Sequence, residues 1–371
     1  MKRLKVIISG GGTGGHVFPA LAIARTLQER YPATEILFVG AEGRLEMERV
    51  PRAGYPIEGL PVRGFDRKRP WRNAGVMVDL IRSMKKARRV VRRFAPDVVV
   101  GVGGYASGPV GRVAGRLGIP LVLQEQNSYA GITNRLLARH AARICVAYEG
   151  MERYFPAEKI VLTGNPVRQE IAAGRVSREE AMDHFGIPHD HAVILALGGS
   201  LGAVSVNRAL LARTALLHDR KVFLLWQTGR RDYERIAKEV EQKALPHVKV
   251  LSFIERMDMA YAAATVIISR AGAGTISELA LVGKPVILVP SPNVAEDHQT
   301  RNAEALVQRQ AAVMVRDGEA EERLMEEAMK LLDDPQRQKT LARGITAFAR
   351  PRAAEEIAEV IVEAARKRMK E

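Results

Sequence analysis

Residues 6–24 read VIISGGGTGGHVFPALAIA, and residues 193–203 read VILALGGSLGA. Each is a short run of aliphatic residues that breaks into glycines and continues as the start of a helical pattern. A run without polar alternation suits a parallel strand covered on both faces, and a glycine turn leading into a helix is the joint of a βα unit. Similar runs follow at the same spacing: EILFVG, DVVVGVGG, PLVLQEQN, RICVAY and KIVLTGNP after the first, then KVFLLWQTG, VKVLSFI, TVIISRAG, PVILVPSP and AAVMV after the second. The pattern predicts an α/β chain of two Rossmann-like, doubly wound parallel-sheet domains. Asn165-Pro166 ends a strand run before a new helical segment, which places the domains at 1–165 and 166–350. An amphipathic stretch at 351–371 reads as a C-terminal helix with Ile357, Val360, Ile361 and Ala364 on one face.

The bulk properties agree with two folded domains. A chain of 371 residues exceeds what one hydrophobic core normally serves. Its 47% hydrophobic and 27% charged residues are ordinary for globular proteins and exclude disordered or collagen-like classes. The single cysteine, Cys145, excludes a disulfide scaffold and favours a reducing compartment. The start, MKRLKVIISGGG, is basic and then apolar, but its glycines interrupt the run too early for a signal peptide. No run is long enough to span a membrane, so any membrane contact is expected to be peripheral.

Charge is concentrated. Residues 1–165 carry 27 Lys and Arg against 13 Asp and Glu, whereas the remainder carries 30 against 29. Residues 61–93 alone hold 12 basic and 2 acidic residues, which points to an anionic partner. Within them, WRNAGVMVDLIRSMKKARRVVRRF has helical spacing. Met77, Leu80, Ile81, Met84, Val91 and Phe94 fall toward one side, with Arg82, Lys85, Arg89, Arg92 and Arg93 toward the other. Trp71, Val76 and Val78 add apolar surface beyond what a plain amphipathic helix needs. An interfacial helix on anionic lipid and an ordinary solvated helix both fit. Nucleic acid is disfavoured by 5% aromatic residues and the absence of a recognised binding module.

Glycine turns between strand and helix bring backbone N–H groups and a positive dipole end to an anion. Gly10, Gly12 and Gly15 satisfy G-x-G-x-x-G, but the acidic residue that completes a dinucleotide site is missing after EILFVG. His16 follows the glycines as a general-base candidate or a local helix-start residue, and Thr13 as a cap or a ligand-facing hydroxyl. Ser200 lies in the second turn. A third turn, ISRAGAGTISELA, places Glu278 to cap a helix or to accept bonds from a ribose diol. The loop PSPNVAEDHQTRNA gathers Asp297, His298, Gln299 and Asn302, able to read sugar hydroxyls. LQEQNSYAGITN ends a strand with Glu125, Gln126 and Asn127, and Arg168 stands at the domain boundary. No H-E-x-x-H, cysteine pair or strand-end D-x-D supports a metal site, and no G-x-S-x-G supports Ser/His/Asp hydrolysis.

In order, GGTGGHVFPA, GGYAS, QEQNSYAGITN, TGNPVR, GGSLGA, SRAGAGTISEL and DHQTRNA resemble the MurG family of GlcNAc transferases of bacterial peptidoglycan synthesis. Seven ordered motifs from about Ile7 to Ala303 are more specific than one glycine loop. The resemblance implies a GT-B fold with an interdomain cleft and an inverting transfer of GlcNAc from UDP-GlcNAc to the C4 hydroxyl of MurNAc in lipid I. It implies donor contacts from Arg168, Ser200, Ile254, Ala273, Gly274, Thr275, Glu278 and Gln299. Thr13, Gly14, Gly15 and Asn127 would face the transferred sugar, with the first turn also receiving the acceptor diphosphate. His16 is the candidate base and Glu125 its rival. No cofactor is implied and no metal is required. The partners would be UDP-GlcNAc, lipid I and, through residues 61–93, the anionic cytoplasmic face of the cell membrane. A UDP-GlcNAc 2-epimerase and a diacylglycerol glycosyltransferase of the same fold are the alternatives.

Overall fold

The computed structural model describes residues 3–64, 74–167, 171, 176–199, 202–218, 220–292, 294 and 297–370. Two compact units form, Met1–Val167 together with Pro351–Glu371, and Arg168–Arg350. The first runs β1 (Lys5–Ser9), α1 (Gly14–Arg30), β2 (Glu35–Ala41), α2 (Glu46–Arg52), β3 (Ile57–Leu60), α3 (Ala74–Phe94), β4 (Val98–Gly101), α4 (Ser107–Arg116), β5 (Leu121–Glu125), α5 (Ile132–Leu137), β6 (Arg143–Val146) and β7 (Ile160–Leu162). Among the described residues its strands form a seven-stranded sheet in the order β3-β2-β1-β4-β5-β6-β7, with every neighbouring pair parallel.

Both faces of this sheet are covered, which is why its strands read as unbroken apolar runs. Ile7, Val99, Leu121, Leu123 and Ile144 pack on one face with side chains of α3 and α4. Ile8, Val100, Val122 and Cys145 pack on the other with Ile23 and Leu27 of α1. Burial pushes the Cys145 thiol up to about 12, so it stays protonated.

The second unit runs α6 (Arg178–Phe185), β8 (Ala192–Leu197), α7 (Val204–Ala212), β9 (Val222–Gln227), α8 (Tyr233–Gln242), β10 (Val248–Leu251), α9 (Met257–Ala263), β11 (Val266–Ser269), α10 (Ala273–Val282), β12 (Val286–Leu288), α11 (His298–Val307), β13 (Val313–Met314), α12 (Ala320–Leu332) and α13 (Pro335–Thr346). Among the described residues its strands form a six-stranded sheet in the order β10-β9-β8-β11-β12-β13, again parallel throughout. The last helix, α14 (Ala353–Lys370), returns to the first unit. Ile357, Ala358, Ile361 and Ala365 are buried in the same cluster as Ile8, Val100 and Ile23. Arg30 pairs with Glu355 and Glu359 at the rim. Those exposed pairs contribute little, and apolar burial holds the helix.

Helix α3 divides the apolar side named above between core and surface. Val76, Ser83, Ala87, Val90 and Val91 are the buried positions, while Met77, Val78 and Ile81 are 51%, 48% and 52% exposed. Small residues face inward because α3 packs closely on α4. The large apolar side chains at the start of the helix are therefore left on the outer surface, which also carries Arg82, Lys85, Arg88, Arg89, Arg92 and Arg93. Trp71 and the segment 65–73 lie outside the described residues.

Candidate active site

Strand order reverses direction between β1 and β4 in the first sheet and between β8 and β11 in the second. In open parallel sheets the loops diverge at such a point and leave a ligand crevice beyond the strands' carboxyl ends. The quoted glycine turns follow β1 and β8, so each lies beside a switch point.

The first turn is built for close approach. A Cβ on Gly10 would lie 2.2 Å from Val102, and one on Gly104 would lie 2.3 Å from the Gly11 carbonyl oxygen, so the loops after β1 and β4 touch through backbone. Thr13 is extended and α1 begins at Gly14. The Gly14 and Gly15 N–H groups find no acceptor among the described residues, as expected of a helix start. Thr13 Oγ1 stands 3.2 Å from His16 Nδ1. A Cβ on Gly103, at φ +91°, would lie 2.9 Å from His16 Nε2, so glycine there leaves room for the half-buried imidazole.

Glu125 ends β5 and is 2% exposed. Its Oε1 accepts from Asn127 N–H (3.1 Å) and Asn127 Nδ2 (3.4 Å), and its Oε2 from Gly131 N–H (3.1 Å) and Asn134 Nδ2 (2.9 Å). Burial raises its pKa, and these donors, Asn134 foremost, pull it back. The carboxyl thus organises the loop that carries Asn127. Gln126 is a buried tie, donating to the Val102 carbonyl at 2.8 Å.

In the second unit Ile254 follows β10, residues 198–203 follow β8, residues 270–278 follow β11 and Gln299 lies beyond β12. All stand at the carboxyl ends of one parallel sheet. Gly199 and Gly202 have φ of +77° and +90°, and α7 begins two residues later. Ser200, in that turn, lies outside the described residues, as does Arg168. The N–H groups of Ala273, Gly274 and Thr275, at the start of α10, find no acceptor among the described residues. Glu278 is the sixth residue of α10, too far along to cap it, and its Oε2 accepts from the Tyr261 hydroxyl at 3.1 Å. Gln299 Oε1 accepts from Ser291 N–H at 2.9 Å, which turns its Nε2 away. Asn302 is fully buried and donates to the Ala271 carbonyl, so it supports the third turn. Ile254 N–H is held by Gln227 Oε1 at 2.9 Å, and the Ile254 carbonyl finds no donor among the described residues.

Residues 6–146 match the glycosyltransferase family 28 N-terminal domain, and residues 193–357 match the family 28 C-terminal domain. The chain is 53% identical over 364 residues to the UDP-N-acetylglucosamine–N-acetylmuramyl-(pentapeptide) pyrophosphoryl-undecaprenol N-acetylglucosamine transferase of Bacteroides fragilis, covering 98% of this chain and 96% of that one. The chain belongs to the MurG family of glycosyltransferase family 28. A solved MurG structure from Acinetobacter baumannii is similar, with a TM-score of 0.80, 29% identity and coverage of 97% of this chain and 99% of that one. The UDP-GlcNAc 2-epimerase of Neisseria meningitidis shares the fold at 16% identity and a TM-score of 0.67, covering 97% of this chain and all of that one. The identity pattern thus favours the transferases over the epimerase within a common GT-B architecture.

Two supporting residues of this family 28 chain escaped the sequence reading. Glu46, 1% exposed, accepts from Gly12 N–H at 2.8 Å and Ala41 N–H at 2.9 Å, and a Cβ on Gly11 (φ +148°) would lie 2.1 Å from its Oε1. Arg270 donates to the Val289 and Pro290 carbonyls, to Ser205 Oγ and to Asp317, joining the first turn of α7 to the loops after β11, β12 and β13. The glycines at 11 and 40 were the available signal for Glu46, since both make room for its side chain. Replacing Glu46 by Ala strips the acceptor from both N–H groups. Urea unfolding of the full chain should then show a loss of about 1–3 kcal/mol, and a loss below about 0.5 kcal/mol would contradict the role assigned to it.

Proposed function

We propose that the chain transfers GlcNAc from UDP-GlcNAc to the C4 hydroxyl of MurNAc in a polyprenyl-diphosphate-linked MurNAc-pentapeptide, with inversion at the anomeric carbon. The observation that carries this reading is the 53% identity, over nearly the whole length, to transferases named for that reaction. Glycine turns at both switch points support it, because each substrate is a diphosphate and each turn leads into a helix N-terminus that suits an anion.

In the proposed step the first turn, through the Gly14 and Gly15 amides, receives the acceptor diphosphate. His16 Nδ1 stands 3.2 Å from Thr13 Oγ1, and the step uses the tautomer in which Nδ1 carries the proton and Nε2 the lone pair. Nε2 takes the proton of the C4 hydroxyl as that oxygen attacks the anomeric carbon from the face opposite UDP. The bond from that carbon to the diphosphate breaks, and its electron pair leaves with UDP. The start of α7, with Ser200 and Arg168, stabilises the departing charge. Glu278 takes the ribose, Gln299 Nε2 the sugar and the Ile254 carbonyl the base, while the Ala273, Gly274 and Thr275 amides line the nucleotide site. Glu125 serves as the positioning residue for Asn127, because four N–H groups already engage its carboxyl. No metal or other cofactor enters the step. Separately, no group of three or more metal-ligating side chains is gathered among the described residues.

The acceptor's lipid tail calls for a membrane-facing surface. No helix among the described residues is long and apolar enough to cross a bilayer. The outer face of α3, with Met77, Val78 and Ile81 beside exposed arginines and lysines, suits peripheral attachment to anionic lipid on the cytoplasmic face.

Purified protein given labelled UDP-GlcNAc and a short-chain lipid I analogue should release UDP only when the acceptor is present, with or without chelator. Acceptor-independent turnover would contradict the transferase reading, and loss of activity with chelator would contradict metal independence. In flotation with phosphatidylglycerol vesicles, replacing Arg82, Lys85 and Arg89 by Ala should lower partitioning by about 100-fold, at roughly 1 kcal/mol per basic residue. Unchanged partitioning would remove α3 from the membrane contact.

A further inference from the structure

Beyond the carboxyl ends of β5 and β6, two cations share one aromatic ring. The guanidinium carbon of Arg153 lies over the ring of Tyr154, 4.9 Å from its centroid, and that of Arg135 lies over the same ring at 5.7 Å. Tyr129 meets this ring edge-on at 5.2 Å. Arg153 also donates to the Ser128 carbonyl at 3.0 Å, so it is tied to the loop that carries Asn127, and Arg135 comes from α5, the helix that follows this loop. Both arginines are exposed, and neither pairs with a carboxylate among the described residues, whereas Arg30, Arg63 and Arg93 of the same unit each find one. Two like charges gathered on one ring repel each other, and an anion received between them relieves that repulsion.

We propose that Arg135 and Arg153, held on Tyr154, form a subsite that binds a carboxylate of the acceptor's stem peptide. The inference rests on the transferase reading given above, in which the acceptor carries a pentapeptide, and a peptide ends in a carboxylate. Muramic acid bears its peptide through the oxygen at C3, the ring position next to the C4 hydroxyl that His16 deprotonates. The peptide therefore leaves the sugar beside the reacting group and crosses the rim of the first sheet. The loop after β5 is close to the base there, since a Cβ on Gly103 would lie 2.9 Å from His16 Nε2 and 3.8 Å from Gln126 Oε1. Arginine suits the task because its planar fork meets both oxygens of a carboxylate, and stacking on tyrosine orders it before the ligand arrives. The tie to Ser128 uses only part of the Arg153 fork and leaves further N–H groups for the ligand.

The test measures KM for two short-chain lipid I analogues, one with its peptide carboxylates free and one with them converted to primary amides, in neutral detergent without anionic lipid. For the full-length protein the free-acid acceptor should have a KM about tenfold below that of the amide. In Arg135→Gln/Arg153→Gln the two values should converge, while kcat for the amide acceptor and KM for UDP-GlcNAc stay within about twofold. Equal KM values in the unaltered protein, or a difference that survives in the variant, overturn the proposal. Flotation of the same variant with phosphatidylglycerol vesicles separates a peptide carboxylate from a lipid phosphate: lost vesicle binding with a retained acceptor preference assigns the pair to the membrane and overturns the peptide subsite. Should the double variant fail to fold, Arg135→Gln alone, whose side chain makes no hydrogen bond among the described residues, should narrow the difference by about threefold, and no narrowing overturns the proposal. Failure of the unaltered protein to release UDP with either acceptor would overturn the transferase reading itself.

Discussion

Every strand pair in both sheets is parallel, and this one constraint governs where chemistry can occur. Parallel pairing sends all strands of a sheet toward the same edge, and right-handed crossovers return the chain through a covering helix. The carboxyl ends therefore share one rim, helix N-termini gather there, and the reversal of winding at β1/β4 and β8/β11 parts the loops. A glycine turn at each reversal leads into a helix N-terminus, the kind of feature that suits an anion. The chain has two such rims, and the proposed reaction assigns one diphosphate-bearing substrate to each.

The turns hold their shape because buried polar groups beneath them are satisfied by main-chain partners. Glu46 accepts from the residues on both sides of the β1/β2 pair, and Glu125 gathers residues 127, 131 and 134 into one loop. Ser107 Oγ donates to the Ser9 or Gly103 carbonyl, 2.7 and 2.8 Å away, and so joins β1 to the loop after β4. Arg270 does the corresponding work in the second unit with a planar fork that meets three carbonyl or hydroxyl oxygens and the Asp317 carboxylate. Such groups hold the turns from within, so a shift of one would move several amide donors together.

Much of the architecture was legible because it is local. Unbroken Val and Ile runs mark strands buried on both faces, and the glycine turns mark their joints to helices, so the two-sheet organisation follows from patterns within about twenty residues. What was not legible depends on partners far away in sequence. Gln227 and Ile254 are adjacent only through the β9/β10 pairing, and Glu46 meets Gly12 only once β1 and β2 align. Periodicity grouped the large apolar residues of α3 on one side but could not say which positions face the core, because close helix packing selects Ser83 and Ala87 over Met77 and Ile81. In the same way Asn302 and Gln126 looked like ligand-facing amides but serve the loops from within. The docking of α14 on the first sheet has no local signal beyond an apolar face, because its partners lie more than 200 residues earlier in the chain.

The central claim is a division of labour: His16 in the first unit removes the acceptor's proton, and the second unit binds the donor. The most direct measurement sets the turnover of His16→Ala beside its affinity for UDP-GlcNAc, determined calorimetrically on the same full-length preparation. The account predicts turnover lower by a factor of about 100 to 10,000 with donor affinity within about threefold of the unaltered protein. Turnover that persists, or a donor affinity that falls in step with it, would contradict the account.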